Sequence, residues 1–443
     1  MNALDSNVVG ARIRQAGTYS KSRKALERSV DAEPELWIPA LIDAVNQDLG
    51  PAGATVEGVL SHFAAARPDF QNRFWLYQEI PGKSAHFLRI QAELALWIIQ
   101  QLDSTHPENR PLLAQMSLNL SQHLRDGGRV HEAPPYSRAA VDLYEALTES
   151  APDLNGDLVW AWMLHAQQLS EADRSKEALE ANLAAVRVAQ CLAGEERSRL
   201  LGQACVALGA VLVSIRQQKA ALDPLRKAYR LLKQCRGPER EYEAIAAPAA
   251  VYLADALLDV GREQEAQPFA DEAHRGFGLL VAKDPGIYLK DYLWATNVAS
   301  RVAIALGQSE RSRALRYEGV KMLLGLADRS PRAFLEQLLL HLTGLISALI
   351  NEQQLDDAEH QVRQAIRMGR KWGRLVKSTP AIYLGSSYAQ LASICLGKDR
   401  MEEGLRAALR ARFYLRQLPK EDLDRSSLLP TVEEQVEVFR RFK

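Results

Sequence analysis

The stretch "SLNLSQHLRDGGRVHEA" (117–133) places an apolar, helix-forming segment before a glycine turn and a short side chain, Ala133, after it. Gly128 can adopt the left-handed backbone that ends a helix, and a second helix then begins near Ala133. The small residue returns every 43 to 46 residues, at Ala133, Ala178, Ala221, Ala266, Ser312, Ala358 and Gly404. The stretch is therefore one copy of a repeated helical hairpin.

Helix breakers keep the same rhythm. Between the units lie Pro107, Pro152, Gly194, Pro238, Pro285, Pro331, Pro380 and Pro419. Within a unit, apolar residues lie three and four positions apart, as at Leu253 and Leu257, which is helical spacing. The recurring residue must be small because the two helices cross most closely there.

Two details of the hairpins can be predicted. We expect glycines to supply the turn between the helices at Gly261, Gly307 and Gly397, as at Gly128. In the first unit, Pro134 and Pro135 lie at the start of the second helix, so we expect that helix to begin late.

Six residues of the opening stretch carry a resemblance to a known family. They are Asn119, Leu120, Ser121, Leu124, Gly128 and Ala133, followed by "AAVDLYEALTESAPD". This pattern resembles the tetratricopeptide repeat in its longer form of just over forty residues, as found in kinesin light chain and many bacterial and fungal multi-repeat proteins. The resemblance implies an all-α fold, a right-handed superhelical α-solenoid of antiparallel helix hairpins.

The resemblance also implies a division of the chain. Residues 110–424 form seven repeats, 1–109 form an N-terminal helical cap, and 425–443 form a closing helix. A degenerate repeat beginning near Asp69, with Ala85 as its small residue, is one interpretation of the cap. The basic segment 11–29 is interpreted as a capping hairpin, with a DNA-reading helix-turn-helix as the alternative.

Composition and charge exclude several classes of protein. The 55 basic and 55 acidic residues cancel, so no overall charge favours nucleic acid or membrane. Four unpaired cysteines and the lack of a leader peptide favour a cytoplasmic protein with reduced thiols. The most apolar window, 334–350, contains Glu336, Gln337 and His341, which favours a buried helix over a membrane span.

No motif of catalysis or metal binding is found. The glycine-rich run "GPAGATVEG" (50–58) lacks the GK[ST] ending of a phosphate-binding loop, so we expect an ordinary loop. HExxH, CxxC and GxSxG patterns are missing. We therefore expect no enzyme activity, cofactor, metal or small-molecule substrate.

The resemblance points to one binding surface. In this family the first helix of each hairpin lines a concave groove, with ligand-facing positions 18, 15, 11 and 8 residues before the small residue. Projected onto this sequence, they include Trp160, Met163, Gln167, Asp255, Trp294, Asn297, Arg301, Thr343, Ser347 and Ile350. These residues predict a non-catalytic scaffold that binds a peptide or partner domain.

Asn297 would pair with a peptide backbone, Arg301 with a carboxylate, and Trp294 would supply flat apolar area. An alternative interpretation stays open, in which Trp160 and Trp294 are packing residues and Arg301 is only a solvated surface charge.

Charge is distributed unevenly along the chain. Residues 131–180 contain ten acidic and three basic residues, whereas 360–420 contain three acidic and thirteen basic ones. The basic residues concentrate in two predicted second helices, "RQAIRMGRKWGRLVK" (363–377) and "RAALRARFYLRQLPK" (406–420). The predicted patch comprises Arg363, Arg367, Arg370, Lys371, Arg374, Lys377, Arg406, Arg410, Arg412 and Arg416.

The patch suggests an alternative function. A regulator or sensor could act through it on nucleic acid, an acidic protein or an anionic membrane. Charges that only keep the protein soluble are the other interpretation. Opposite charge at the two ends also permits head-to-tail self-association.

Overall fold

The computed structural model describes residues 6–46, 52–81, 87–235, 245–283, 285–329, 331–372, 380–418 and 423–441. Within these ranges the chain forms 21 α-helices, three short 3-10 turns and no strand. It divides into two compact units, residues 1–235 and 236–443. This division lies between the third and fourth predicted repeats. The domain boundaries predicted at residues 109 and 424 stay predictions.

The first unit contains twelve helices. They are α1 (Ser6–Thr18), α2 (Ser20–Ala32), α3 (Pro34–Asn46), α4 (Ala52–Ala66), α5 (Phe70–Glu79), α6 (Leu88–Gln101), α7 (Arg110–Asp126), α8 (Pro134–Thr148), α9 (Asn155–Glu171), α10 (Ser175–Cys191), α11 (Gly194–Ser214) and α12 (Gln218–Gln234).

Nine helices are described in the second unit. They are α13 (Ala247–Asp259), α14 (Glu263–Lys283), α15 (Pro285–Ala305), α16 (Ser309–Arg329), α17 (Pro331–Asn351), α18 (Leu355–Trp372), α19 (Pro380–Gly397), α20 (Met401–Leu415) and α21 (Leu423–Arg441).

Seven antiparallel hairpins follow one another within these units, which confirms the predicted all-α repeat fold. They are α7/α8, α9/α10 and α11/α12 in the first unit, and α13/α14, α15/α16, α17/α18 and α19/α20 in the second. The six predicted small residues from Ala133 to Ala358 are 0% exposed, and Gly404 is buried as well. Close packing at these positions explains why a larger side chain is not found there.

The turn between the two helices has the same geometry in all seven hairpins. The residue five positions before the small residue is left-handed, with φ between 54° and 80°, at Gly128, Asp173, Arg216, Gly261, Gly307, Gln353 and Asp399. The N–H of the next residue donates to the carbonyl five positions earlier, as from Arg129 to Leu124 at 2.8 Å. These are the bonds of a Schellman cap, which satisfies the last carbonyls of the first helix.

The glycine predictions for this turn are confirmed at Gly128, Gly261 and Gly307 and wrong at Gly397. Gly397 is the last residue of α19, and Asp399 takes the left-handed position. The left-handed residue lies five positions before the small residue in every hairpin. Asp399 is at that position, so it adopts the left-handed backbone although it is not a glycine. The late start of α8 is confirmed, since a 3-10 turn at Val130–Glu132 precedes Pro134.

The first four helices share a buried core, which continues into α5 and α6. Ile13, Leu26, Leu41, Leu60 and Phe63 are each at most 1% exposed within it. The basic segment 11–29 lies in α1 and α2, whose apolar sides pack against α3 and α4.

The loop expected at 50–58 is wrong from Ala52 onward, because α4 begins there. Ala52, Ala54 and Glu57 favour a helix across this run despite two glycines. Residues 50 and 51 and the predicted small residue Ala85 lie outside the described residues. Asp69 caps α5 by accepting the Asn72 N–H at 2.9 Å.

First and second helices pack differently. Neighbouring first helices contact each other, as α9 does α11, α13 does α15, and α17 does α19. Among the described residues, neighbouring second helices pack less closely, and clefts lie between α8 and α10 in the first unit and between α18 and α20 in the second. Among the described helices, none has both the length and the apolar character needed to cross a lipid bilayer.

Candidate functional site

The predicted ligand-facing positions lie on one side of the first helices, which we call the first-helix face. In the second unit, three large apolar side chains on this face are exposed: Ile304 on α15 (48%), Leu340 on α17 (54%) and Leu396 on α19 (37%). In the first unit, Trp160 on α9 (48%) is exposed. Single exposed apolar side chains are common on folded proteins, but three on neighbouring first helices of one unit make this face a candidate binding surface.

On α9 the predicted residues differ in exposure. Trp160 and Gln167 are exposed, and the Gln167 amide donates to Glu171 at 2.9 Å. Met163 is buried, at 8% exposed, so the prediction that it lines the groove is corrected. Val251, at the same position of α13, is buried too, whereas Asn297 at that position of α15 is partly exposed.

Arg301 joins two first helices in the second unit. Its guanidinium donates to Asp255 at 2.5 Å and to Asp259 at 2.9 Å, both on α13. Burial raises the pKa of Asp255, and the nearby Arg301 charge partly opposes that rise. Arg301 therefore already holds two carboxylates of this chain, and a peptide carboxylate would have to displace one of them.

Trp294 and Asn297 lie on α15 next to this ion pair. The Trp294 ring meets the edge of Tyr252, with ring centroids 4.5 Å apart and planes at 65°. Trp294 is nevertheless only partly buried, so it has both a packing contact and an accessible side. The partly exposed Asn297 amide has no hydrogen-bond partner among the described residues, so it is free to bond a peptide backbone.

Amide side chains connect α17 to α19 and α19 to the closing helix α21. Gln390 on α19 donates to the Thr343 carbonyl at 2.9 Å and to the Ser347 hydroxyl at 2.8 Å. Gln435 on α21 donates to the Ser393 hydroxyl at 2.8 Å. The hydroxyl of Thr343 donates to a carbonyl of its own helix, so this part of the face is held in place by internal bonds.

The predicted basic patch separates into paired and unpaired residues. Arg363 binds Glu359 at 2.7 Å and Glu403 at 2.5 Å, and Arg416 binds Glu433 at 2.8 Å. Arg374 and Lys377 lie outside the described residues. Lys371 is exposed on α18, and Arg412 is half-buried on α20.

The other four basic residues meet in one place. Arg367 and Arg370 on α18, together with Arg406 and Arg410 on α20, line a cleft of about 430 Å³. Its floor is formed by α19 through Tyr388 and Leu391. The sequence predicts that α18 and α20 lie side by side, but no local pattern indicates the buried Tyr388 beneath them.

Glu359 is the centre of an ionic network beside this cleft. Burial acts to raise the pKa of Glu359, but hydrogen bonds from Arg400, Lys398 and Arg363 outweigh it and lower the pKa to about 2. The network joins α18 to the end of α19 and the start of α20. It stabilises the packing of the sixth hairpin on the seventh.

The buried histidines are neutral at physiological pH. Burial lowers the pKa of His165 and of His341 to about 4. His165 Nδ1 lies 2.8 Å from the Ser137 hydroxyl. Within the described ranges, no cluster of three or more His, Cys, Asp or Glu side chains is arranged to hold a metal ion.

Two recurrent features define the hairpin type: the buried small residue, and the left-handed turn five residues before it, present in all seven copies. The hairpins are tetratricopeptide-like. No family model matches the sequence, and no curated protein matches it.

Several solved tetratricopeptide-type structures are similar to this chain. A kinesin light chain-type protein of Podosopora anserina, with nearly identical TPR-like repeats, is 17% identical over 50% of this chain and 98% of that one, with a TM-score of 0.41. BtubC of P. vanneervenii is 15% identical over 55% and 92%, with a TM-score of 0.45. A Rap protein complexed with competence and sporulation factor is 14% identical over 84% and 94%, with a TM-score of 0.43.

Proposed function

We propose that this protein is a non-catalytic scaffold that binds a peptide segment of a partner protein on the first-helix face of its second unit. The observation that carries the proposal is the exposure of Ile304, Leu340 and Leu396 on that face. Burying a fully exposed side chain of this kind contributes about 1.5–3 kcal/mol, and these three are about half exposed, so each would contribute roughly half of that to binding.

The spacing of the anchors suits an extended peptide. Ile304 and Leu396 are both eight residues before the small residue, on first helices two hairpins apart. Helices pack at roughly 10 Å, so these side chains are ~20 Å apart. An extended peptide rises about 3.3 Å per residue, so roughly six residues would join the two anchors.

Polar groups near the anchors would orient the peptide. The free amide of Asn297 can both donate to and accept from a peptide backbone, and Trp294 offers its accessible side to an apolar residue. Trp160 is a comparable anchor in the first unit, where it would make its own contact with a partner.

The proposal is tested by recovering partner proteins from the native cell extract with purified full-length protein. We expect the double variant Ile304→Asp/Leu396→Asp to lower recovery about tenfold or more, because charged groups replace two apolar anchors. Phe413→Asp is the matched control, since Phe413 is 63% exposed on the second helix α20, away from the face. Equal recovery by the double variant and wild type, with both folded, would refute the proposal.

A further inference from the structure

The cleft between α18 and α20 has an unusual charge. Five arginines line it, Arg363, Arg367, Arg370, Arg406 and Arg410, with Glu403 as the single acidic residue, a net charge of +4. Arg363 is neutralised by Glu359 and Glu403. The other four arginines have no carboxylate partner among the described residues. Like charges in one cleft repel each other, and an anion bound among them would remove that repulsion.

The equivalent cleft in the first unit shows that the fold does not require this charge. It lies between α8 and α10 over α9, has about 750 Å³, and is lined by three arginines and three glutamates. Two of these residues, Arg174 and Glu177, pair at 2.6 Å. His165 on its floor is neutral because burial lowers its pKa to about 4. The first-unit cleft is balanced, so the positive charge is specific to the second.

Tyr388 gives the charged cleft a polar floor. Its side chain is 1% exposed, and its hydroxyl has no hydrogen-bond partner among the described residues. The guanidinium groups of Arg370 and Arg410 lie 5.5 and 5.7 Å from the centroid of its ring. Tyr414 stacks on it with centroids 5.8 Å apart, which fixes the ring in place. A buried hydroxyl without an acceptor is unfavourable, and an anion oxygen entering the cleft would supply one.

We propose that this cleft is a binding site for a phosphate or diphosphate group carried by a small molecule or a lipid headgroup. Arg367 and Arg406 are exposed, face the cleft from opposite helices and make the first contacts. Guanidinium groups match phosphate oxygens with two parallel hydrogen bonds, which a lysine cannot do. The flexible Arg370 and Arg410 side chains, which lie beside the tyrosine ring, turn toward the anion when it binds.

Calorimetric titration of the full-length protein with inorganic pyrophosphate, in low-chloride buffer, tests the site. We expect saturable binding of one pyrophosphate per chain and a loss of about tenfold or more in affinity for Arg367→Gln and for Arg406→Gln. Arg412→Gln is the matched control, because it removes the same charge from α20 at a residue that does not line the cleft. Its affinity should stay within about twofold of wild type.

Tyr388→Phe keeps the ring and its stacking and removes only the hydroxyl, so the variant folds and still tests the site. We expect it to weaken pyrophosphate binding by about threefold to tenfold. Failure of wild type to saturate, or an equal loss in Arg412→Gln and Arg406→Gln, would overturn the proposal, because diffuse surface charge would then explain any binding.

Vesicles distinguish the two sources of the phosphate group. Phe413 is 63% exposed three residues after Arg410, on the same side of α20, where it could enter a lipid surface. Sedimentation with phosphatidylcholine vesicles containing a phosphoinositide, reduced by Phe413→Ala, assigns a lipid headgroup. Pyrophosphate binding without sedimentation assigns a soluble ligand. The variant Ile304→Asp/Leu396→Asp should bind pyrophosphate normally, so this site and the proposed peptide surface fail or succeed separately.

Discussion

Gly404 on α20 lies directly against the ring of Phe439 on α21, and a Cβ atom on Gly404 would overlap that ring. Phe439 is 1% exposed, so it has no room to move away. We therefore expect Gly404→Ala to destabilise the protein by about 1–3 kcal/mol, the usual effect of overpacking a core. Chemical denaturation measures this. Gly325→Ala on α16 is the control, since a Cβ there meets open space, and it should be neutral or stabilising.

Ala178 is the buried small residue of the second hairpin, at 0% exposed. Ala178→Arg places a long charged side chain between α9 and α10, so we expect a loss of about 3 kcal/mol or more in the free energy of unfolding. Glu180→Arg puts the same side chain two positions further on, where the residue is exposed, and should change stability by less than about 0.5 kcal/mol. Similar losses in the two variants would mean that the hairpin does not close at Ala178.

Asp255 depends on Arg301 for its charge. Removing the guanidinium in Arg301→Leu leaves a buried carboxylate without its main partner, so we expect a loss of about 2–4 kcal/mol at pH 7. Burial already raises the pKa of Asp255, and the variant raises it further. Protonation of Asp255 then stabilises the folded variant. The difference in the free energy of unfolding between variant and wild type should therefore become smaller as pH falls from 7 toward 5.

Arg262→Leu is the control for that experiment. Arg262 and its partner Glu265 are both more than a third exposed, so its loss should be less than about 1 kcal/mol. If the loss of unfolding free energy in Arg301→Leu stays constant between pH 7 and 5, Asp255 is not the group left unpaired.

Glu359 should stabilise the second unit only when it is ionised. Its folded pKa of about 2 lies below the ordinary 4.5, so its contribution is complete above about pH 4.5 and is lost as pH falls toward 2. We expect Glu359→Gln to lower the free energy of unfolding by about 2 kcal/mol at pH 7, with the difference shrinking below pH 4.5. Asp356→Asn should have little effect, because the Asp356 side chain is 97% exposed. Equal losses in both variants at pH 7 would count against the network.

The hairpin repeat could be predicted because it depends on local signals. Small residues at a constant interval, and helix breakers between them, mark each unit. The turn was harder to assign, since Asp173, Arg216, Gln353 and Asp399 adopt a backbone that is usual for glycine. Only their fixed distance before the small residue reveals them.

The candidate sites were less predictable because they depend on neighbouring repeats. The sequence pattern predicts a ligand contact for Arg301, whereas in the structure its partner is Asp255, which lies 46 residues earlier, one repeat away. Opposite charges at equivalent positions of adjacent repeats are the signal that would have found this pair. Tyr388 was missed because nothing in the local pattern separates a buried tyrosine under a cleft from an ordinary core residue.

The most direct test of the scaffold proposal is site-specific photo-crosslinking. A photoreactive amino acid replaces Leu340 on the first-helix face or Phe413 on α20, both of which are exposed by more than half. The two proteins are then irradiated in native extract, and their adducts are identified by mass spectrometry. We expect position 340 to form a discrete adduct with a partner protein, and position 413 to form no adduct with that same protein. The same adduct from both positions, or from 413 alone, would contradict binding on the first-helix face.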